Sequence, residues 1–364
     1  MTGALEGLVV ADFGRVLAAP YATMLMADLG AEVIKIERPG AGDDTRAWGP
    51  PFTDEGESTY FLSVNRNKSS RVLDLRTDEG RDAALALAAE ADVVIENFLP
   101  GVMDRLGLGL DDVRAVNDDV IYCSVTGFGR DSQMPGYDLL VQAMSGLMSV
   151  TGPSPDEPTK VGVALLDIIT GLHATTGILA ALRHRDRTGE GQRVEVNLLS
   201  SALSALANQA SAHLLTGVVP VATGNEHPSI APYALYRTAD RPVILAVGND
   251  RQFASLATEL GVPQLASDAR FETNAARVAH AGELTAELER LLESDGADAW
   301  SQRLLAAGVP CGPVNTLPDA FALAERVGAP AVVEIDGVRQ VANPIRLSAT
   351  PADYRRRPPR LGEE

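Results

Sequence analysis

The residues LVVAD at 8–12 make a short apolar run of strand length, and apolar positions then recur at helical spacing through PYATMLMADLGA, closed by Gly30. EVIKIE at 32–37 reads as a second strand, so the chain opens on a β-α-β unit. The rhythm continues with RVLDL at 71–75, a helix over 78–89, DVVIEN at 92–97 and VIYCSVTG at 120–127. Strands alternating with helices predict a parallel sheet covered by helices on both faces. Helical spacing returns over 138–148 and 166–184, QRVEVNLL at 192–199 predicts one more strand, and 199–214 one more helix.

Beyond 215 the pattern changes. The stretch 216–230 is rich in Gly, Pro and Val without helical period and reads as a linker. ALYRTADRPVILAVG at 234–248 resembles two strands joined at Ala239-Asp240, which predicts a second, smaller α+β domain over 231–310, with helices at 251–260, 281–294 and 297–307. The tail returns to short strands around VVEIDGVRQVAN at 332–343, turning at Asp336-Gly337.

At 364 residues the chain exceeds one hydrophobic core, which agrees with two lobes. No apolar run reaches the roughly 18 residues of a membrane span, and no basic leader precedes the first apolar stretch, so a cytoplasmic protein with no membrane partner is expected. A net charge of -18 repels nucleic acid phosphate, although a few arginines in one cleft still attract a small anion. Cys123 and Cys311 stand far apart outside any CxxC pattern and are expected to be buried apolar residues.

The residues after the strands exclude several chemistries. FGRVLAAPY after the first strand is not G-x-G-x-x-G, and the phosphate-binding G-x-x-x-x-G-K-[ST], the esterase G-x-S-x-G and the zinc-binding H-E-x-x-H are all missing. The five histidines fall in no metal spacing.

There remains an ordered set of segments: FGRVLAAP, VIKIERPGAGDDTR, NRNKSSRVLDL, ENFLPGVMDRLGLG, GYDLLVQAMSGLMSVTG, VGVALLDIITGLHATTGILAALRHRDRTGEGQRVEVNLL and GVPCGPVN. In this order the segments resemble the class III CoA-transferases, a family that includes formyl-CoA and carnitine CoA-transferases and the α-methylacyl-CoA racemases. The resemblance implies a Rossmann-like large domain formed by 1–215 and a C-terminal return over 311–364, with two chains interlocked as a homodimer. It also implies an acyl-CoA and a small carboxylic acid as substrates, with no permanently bound cofactor.

Asp167 in LLDIITG matches the family's catalytic aspartate, a match that outweighs the reading of an acidic residue at a helix start as an N-cap. As a nucleophile it would pass through a mixed anhydride and an aspartyl-CoA thioester. Gly162, Ala164 and Gly171 beside it would permit close backbone approach. The resemblance also implies that Tyr137 and Asp138 in PGYDLL belong to the acyl pocket. Racemases of the family carry His where Tyr137 stands, and a tyrosine, whose pKa is about 10, is a poor α-proton base, so transfer is preferred over a racemase or a non-catalytic CoA-binding protein. Val16, Ala18, Arg38, Leu73, Arg76, Asn97, Phe98 and Arg105 match CoA contacts of the family. Leu17 stands where formyl-CoA transferases carry Gln, which implies an acid larger or less polar than oxalate, and the family-like GNEHPSIAPY with His227 reads either as a border of the acyl pocket or as a structured linker.

Overall fold

A computed structural model describes residues 3–364 and divides them into two compact units. The first takes the chain up to Met148, then Lys160–Pro220 and Ala329–Glu364; the second takes Ser149–Thr159 and Val221–Gly328.

The first unit is α/β. In chain order it holds β1 (Val9–Asp12), α1 (Ala18–Asp28), β2 (Glu32–Glu37), α2 (Thr59–Ser63), β3 (Lys68–Val72), α3 (Asp78–Glu90), β4 (Val93–Glu96), α4 (Val102–Arg105), α5 (Leu110–Arg114), β5 (Ile121–Thr126), α6 (Asp138–Met144), α7 (Leu165–Thr188), β6 (Arg193–Asn197), α8 (Leu198–Ala205) and α9 (Ala207–Thr216). The six strands form one parallel sheet in the order β3-β2-β1-β4-β5-β6, with Ala11 opposite Ile34 on one side and Val94 on the other. Alternation along the strands feeds two cores. Val10, Val33, Val93 and Ile121 pack with Ala22 and Met26 of α1 and Ala174 and Ile178 of α7; Ala11, Ile34, Val94 and Tyr122 pack with Ala84 and Leu87 of α3. Strand order reverses between β1 and β4, where open α/β sheets leave a crevice at the carboxyl ends of their strands.

Several elements differ from the sequence expectation. The third strand starts at Lys68, three residues before the expected RVLDL at 71–75, because Lys68 is fully buried against Asp12 and its polar surroundings disguise a strand. The strand expected at 192–199 stops at Asn197, whose side chain accepts the Ser200 N–H at 2.8 Å and caps α8. The single helix expected over 199–214 is two, broken at Ala207 with φ +37°. The helix expected over 138–148 ends at Met144, two residues before Gly146 at φ +88°. The long helix α7 is apolar enough in composition to cross a membrane, yet it packs Leu166, Ala174, Ile178 and Leu182 into the core against the sheet and α1.

The second unit is built on an antiparallel sheet, β7 (Tyr233–Tyr236), β8 (Val243–Ala246) and β9 (Cys311–Pro313), backed by α10 (Asp250–Glu259), α11 (Asn274–Ala279), α12 (Ala281–Leu292) and α13 (Ala297–Ala306). Phe253, Leu256, Leu288, Trp300 and Leu304 make its core. Residue 311, where the sequence places the return to the large domain, lies on this small sheet; an amphipathic α14 (Leu317–Arg326) comes next, and the chain rejoins the first unit at Ala329. There β10 (Val332–Ile335) and β11 (Val338–Val341) form a hairpin turning at Asp336-Gly337, both at positive φ. Cys123 is buried, whereas Cys311 is half-buried at the end of the small sheet.

Candidate functional site

The loop after β1 enters the crevice and is held at each residue. Asp12 accepts the Gly14 N–H at 2.8 Å, and Lys35 Nζ donates to the Gly14 carbonyl at 2.7 Å. The Asn97 side chain clamps Arg15 on both sides, accepting its N–H at 2.8 Å and donating to its carbonyl at 2.7 Å. Asp43 accepts the Val16 N–H at 3.2 Å and so fixes a left-handed φ of +65°, which a β-branched residue adopts only under such constraint.

These anchors are a buried charge network. Lys35 lies 2.9 Å from Asp43, and Lys68 lies 3.1 Å from Asp12. Burial alone would raise Asp43, yet Lys35 and Thr45 hold it down at about 2; burial pushes Lys68 down to about 8 against the pull of Asp12. Removing one partner of such a pair leaves an uncompensated buried charge, at a cost of about 3–5 kcal/mol. Stability is thereby coupled to the shape of the loop.

The crevice holds a cavity of about 400 Å³ whose walls include Arg15, Val16, Ala18, Asn97, Phe98, Tyr137 and Asp167. A second cavity of about 410 Å³ shares Arg15, Phe98 and Val102 with it and adds Arg38, Leu73 and Arg76. Most of the residues expected to contact acyl-CoA therefore line two adjoining hollows. Arg38 is paired with Asp44, and Arg76 with Asp74 at 2.8 Å, both at the surface, where an ion pair contributes little and an incoming phosphate competes readily.

Asp167 occupies the first turn of α7 but does not cap it. Helix α7 has no capping side chain at Ala164; instead the Asp138 carboxylate accepts the N–H groups of Leu166 at 2.8 Å and Asp167 at 3.3 Å. Asp138 also accepts a hydrogen bond from Gln142. It thus serves the helix end and is not among the cavity-lining residues, whereas Asp167 lines the cavity wall. Burial, and then the charge of Asp138, raise the Asp167 carboxyl to about 7. Gly171, one turn on, packs against α1 so closely that a Cβ there would stand 2.6 Å from the Ala18 carbonyl; Gly162 faces open space.

Three expected residues of the first unit, Leu17, Arg105 and Asp138, lie outside both cavity walls. Because Val16 is turned to positive φ, Val16 and Ala18 line the cavity while Leu17 packs with Met24 and Val64, 7% exposed. Arg105 ends α4, exposed and outside both cavity walls. His227 belongs to the second unit, stacked edge-on against Tyr233 in a cavity of about 210 Å³ formed by that unit. Tyr137 is 63% exposed on the first cavity's wall, while its neighbour Asp138 is at the helix end. Sequence reasoning misses Arg15, Lys35 and Asp43. The charge inside EVIKIE, a strand flanked by strands on both sides, is the available sign of a buried ion pair. Among the described residues no group of three or more His, Cys, Asp or Glu comes together to hold a metal ion.

Comparison with known proteins adds independent information. The sequence pattern of CoA-transferase family III matches residues 5–364. The chain is 43% identical to a succinate–glutarate CoA-transferase of Agrobacterium fabrum, covering 99% of this chain and 93% of that protein. It is 39% identical to an acetyl-CoA:oxalate CoA-transferase of Acetobacter aceti, covering 100% of this chain and 94% of the relative. A crystal structure of a CAIB/BAIF family protein from Brucella suis superposes with a TM-score of 0.91 at 44% identity, covering 100% of this chain and 97% of that one.

Proposed function

The chain belongs to CoA-transferase family III, and from that premise we propose that it transfers coenzyme A from an acyl-CoA donor to a carboxylate acceptor through covalent intermediates on Asp167. The observation that carries the reading is the carboxyl of Asp167 on the wall of the cavity that also exposes Val16, Ala18 and Tyr137.

In this reading the ionised Asp167 attacks the donor thioester carbonyl; the C–S bond breaks, giving a mixed anhydride and CoA thiolate. The thiolate attacks the aspartyl carbonyl, the anhydride C–O bond breaks, and the donor acid leaves as a carboxylate, with CoA now on Asp167 as a thioester. The acceptor carboxylate attacks that thioester and releases the thiolate, which then takes the acceptor acyl group from the second anhydride and frees Asp167. No net energy input is required, since one activated acyl group replaces another. The protein contributes attack geometry and exclusion of water, and the fixed loop at 14–18 and the first turn of α7 supply rigid walls for both.

The identity to a succinate–glutarate enzyme supports short dicarboxylic acids, with succinyl-CoA as donor and glutarate as acceptor. The relative that acts on oxalate makes oxalate the comparison acid. Two copies are proposed to form the working assembly.

Incubation with succinyl-CoA in the absence of acceptor should add the mass of CoA to the peptide bearing Asp167, and Asp167→Asn should remove both the adduct and transfer. Full transfer activity in the Asn variant would overturn the mechanism.

A further inference from the structure

Arg15 is the one residue besides Phe98 and Val102 that lines both cavities, and it enters neither as part of an ion pair. Its backbone is locked by Asn97, and its guanidinium lies 4.3 Å from the centre of the Phe98 ring. Among the described residues its side chain makes no hydrogen bond and no salt bridge, while Arg38 and Arg76 are each closed onto an aspartate. Burial and the nearby charge of Arg38 disfavour its cation, and Asp44 and Asp43 offset this only in part. A half-buried guanidinium held by stacking, with its donors unused, lacks an anion.

Its place along the channel identifies that anion. Asp167 stands in one hollow, and Arg38 and Arg76 stand in the other, with Arg15 at their junction. A CoA thioester bound with its acyl carbon at Asp167 must send its pantetheine arm toward this junction and its adenosine 3′-phosphate beyond it. Resting on the transferase reading, we propose that Arg15 binds the diphosphate of CoA and so discriminates nucleotide-bearing thioesters from shorter ones. The guanidinium over the Phe98 ring has a free fork of donors, which suits bidentate contact to phosphate oxygens.

Calorimetric binding of CoA, dephospho-CoA and pantetheine to the parent, Arg15→Gln and Arg15→Lys tests this. Loss of a charge-assisted contact should weaken CoA and dephospho-CoA alike by about 10- to 100-fold in the Gln variant, with Lys intermediate because it keeps charge but not the fork. Pantetheine, which carries no phosphate, should show no such gap between parent and variant. Three outcomes would overturn the proposal: a loss seen with CoA but not dephospho-CoA, which assigns Arg15 to the 3′-phosphate; an equal loss with pantetheine, which assigns it to the arm; and no loss at all. Should the Gln variant fail to fold, the Lys variant carries the same comparison. If the parent itself binds none of the three, the transferase reading fails, which is a different result from a parent that binds CoA and a variant that binds it equally well.

Discussion

A carboxyl raised to about 7 is half ionised near neutrality, so the nucleophile of the proposed reaction is switched by pH in the working range. The rate kcat/KM should rise with pH through about 7 and level off above it, because only the carboxylate attacks. A flat profile between about pH 5.5 and 8.5 would show that another group limits the step. The same shift acts on stability. The folded-state value lies above the ordinary 3.8, so the folded protein holds a proton that the unfolded chain has lost, and stability falls as pH rises from about 4 through 7. Asp167→Asn should therefore stabilise the protein at pH 8, on the order of 1–2 kcal/mol once solvent screening of this partly exposed group is allowed for, and far less at pH 4. Melting temperatures of both proteins at the two pH values check the sign. Asp167 is visible in sequence as an acid interrupting an apolar run, but its elevated pKa is not, because that rests first on burial in the folded chain and then on the charge of Asp138, 29 residues away. Leu17 is misplaced from sequence for a similar reason: the left-handed Val16 that turns it inward is enforced by Asp43, 27 residues on.

At the scale of elements, Asp138 serves two purposes on α7 that substitution can separate. Its carboxylate replaces the missing cap at Ala164, and its charge helps to raise Asp167. Asp138→Asn keeps an acceptor for the Leu166 N–H and removes the charge, so the rising limb of the pH–rate profile should move to lower pH with the melting temperature little changed. Asp138→Ala removes both, and should cost about 1 kcal/mol or more in stability besides moving the limb the same way. Identical profiles for the parent and the Asn variant would remove Asp138 from the tuning of the nucleophile. Elements are legible where period and burial agree: β2 is expected over 32–37 and spans Glu32–Glu37, since both of its faces bury Val33, Ile34 and Ile36. They are obscured where polar residues are buried in pairs, as with Lys68 in β3, or where one residue ends a strand and caps a helix, as with Asn197.

The whole molecule leaves apolar surface that a lone chain has little reason to expose. Helix α9 buries none of its residues, and Leu214 and Leu215 are 81% and 83% exposed, with Val218 and Val219 beside them at 59% and 72%. Helix α14 likewise buries none, with Leu317 at 75%. Contiguous apolar patches of this kind mark association surfaces. The fold class is legible because it rests on local period. An association surface is not legible from period alone, because exposed leucines at helical spacing read as core positions. We propose that two copies bring these faces together, so light scattering at micromolar concentration should give twice the mass of one chain. Leu214→Ser with Leu215→Ser should shift that mass toward a single chain and lower the melting temperature in a concentration-dependent way, because a folded state stabilised by its partner follows mass action. A parent that scatters as one chain, with a melting temperature independent of concentration, would leave the leucines without a partner copy and remove the dimer from the proposed assembly.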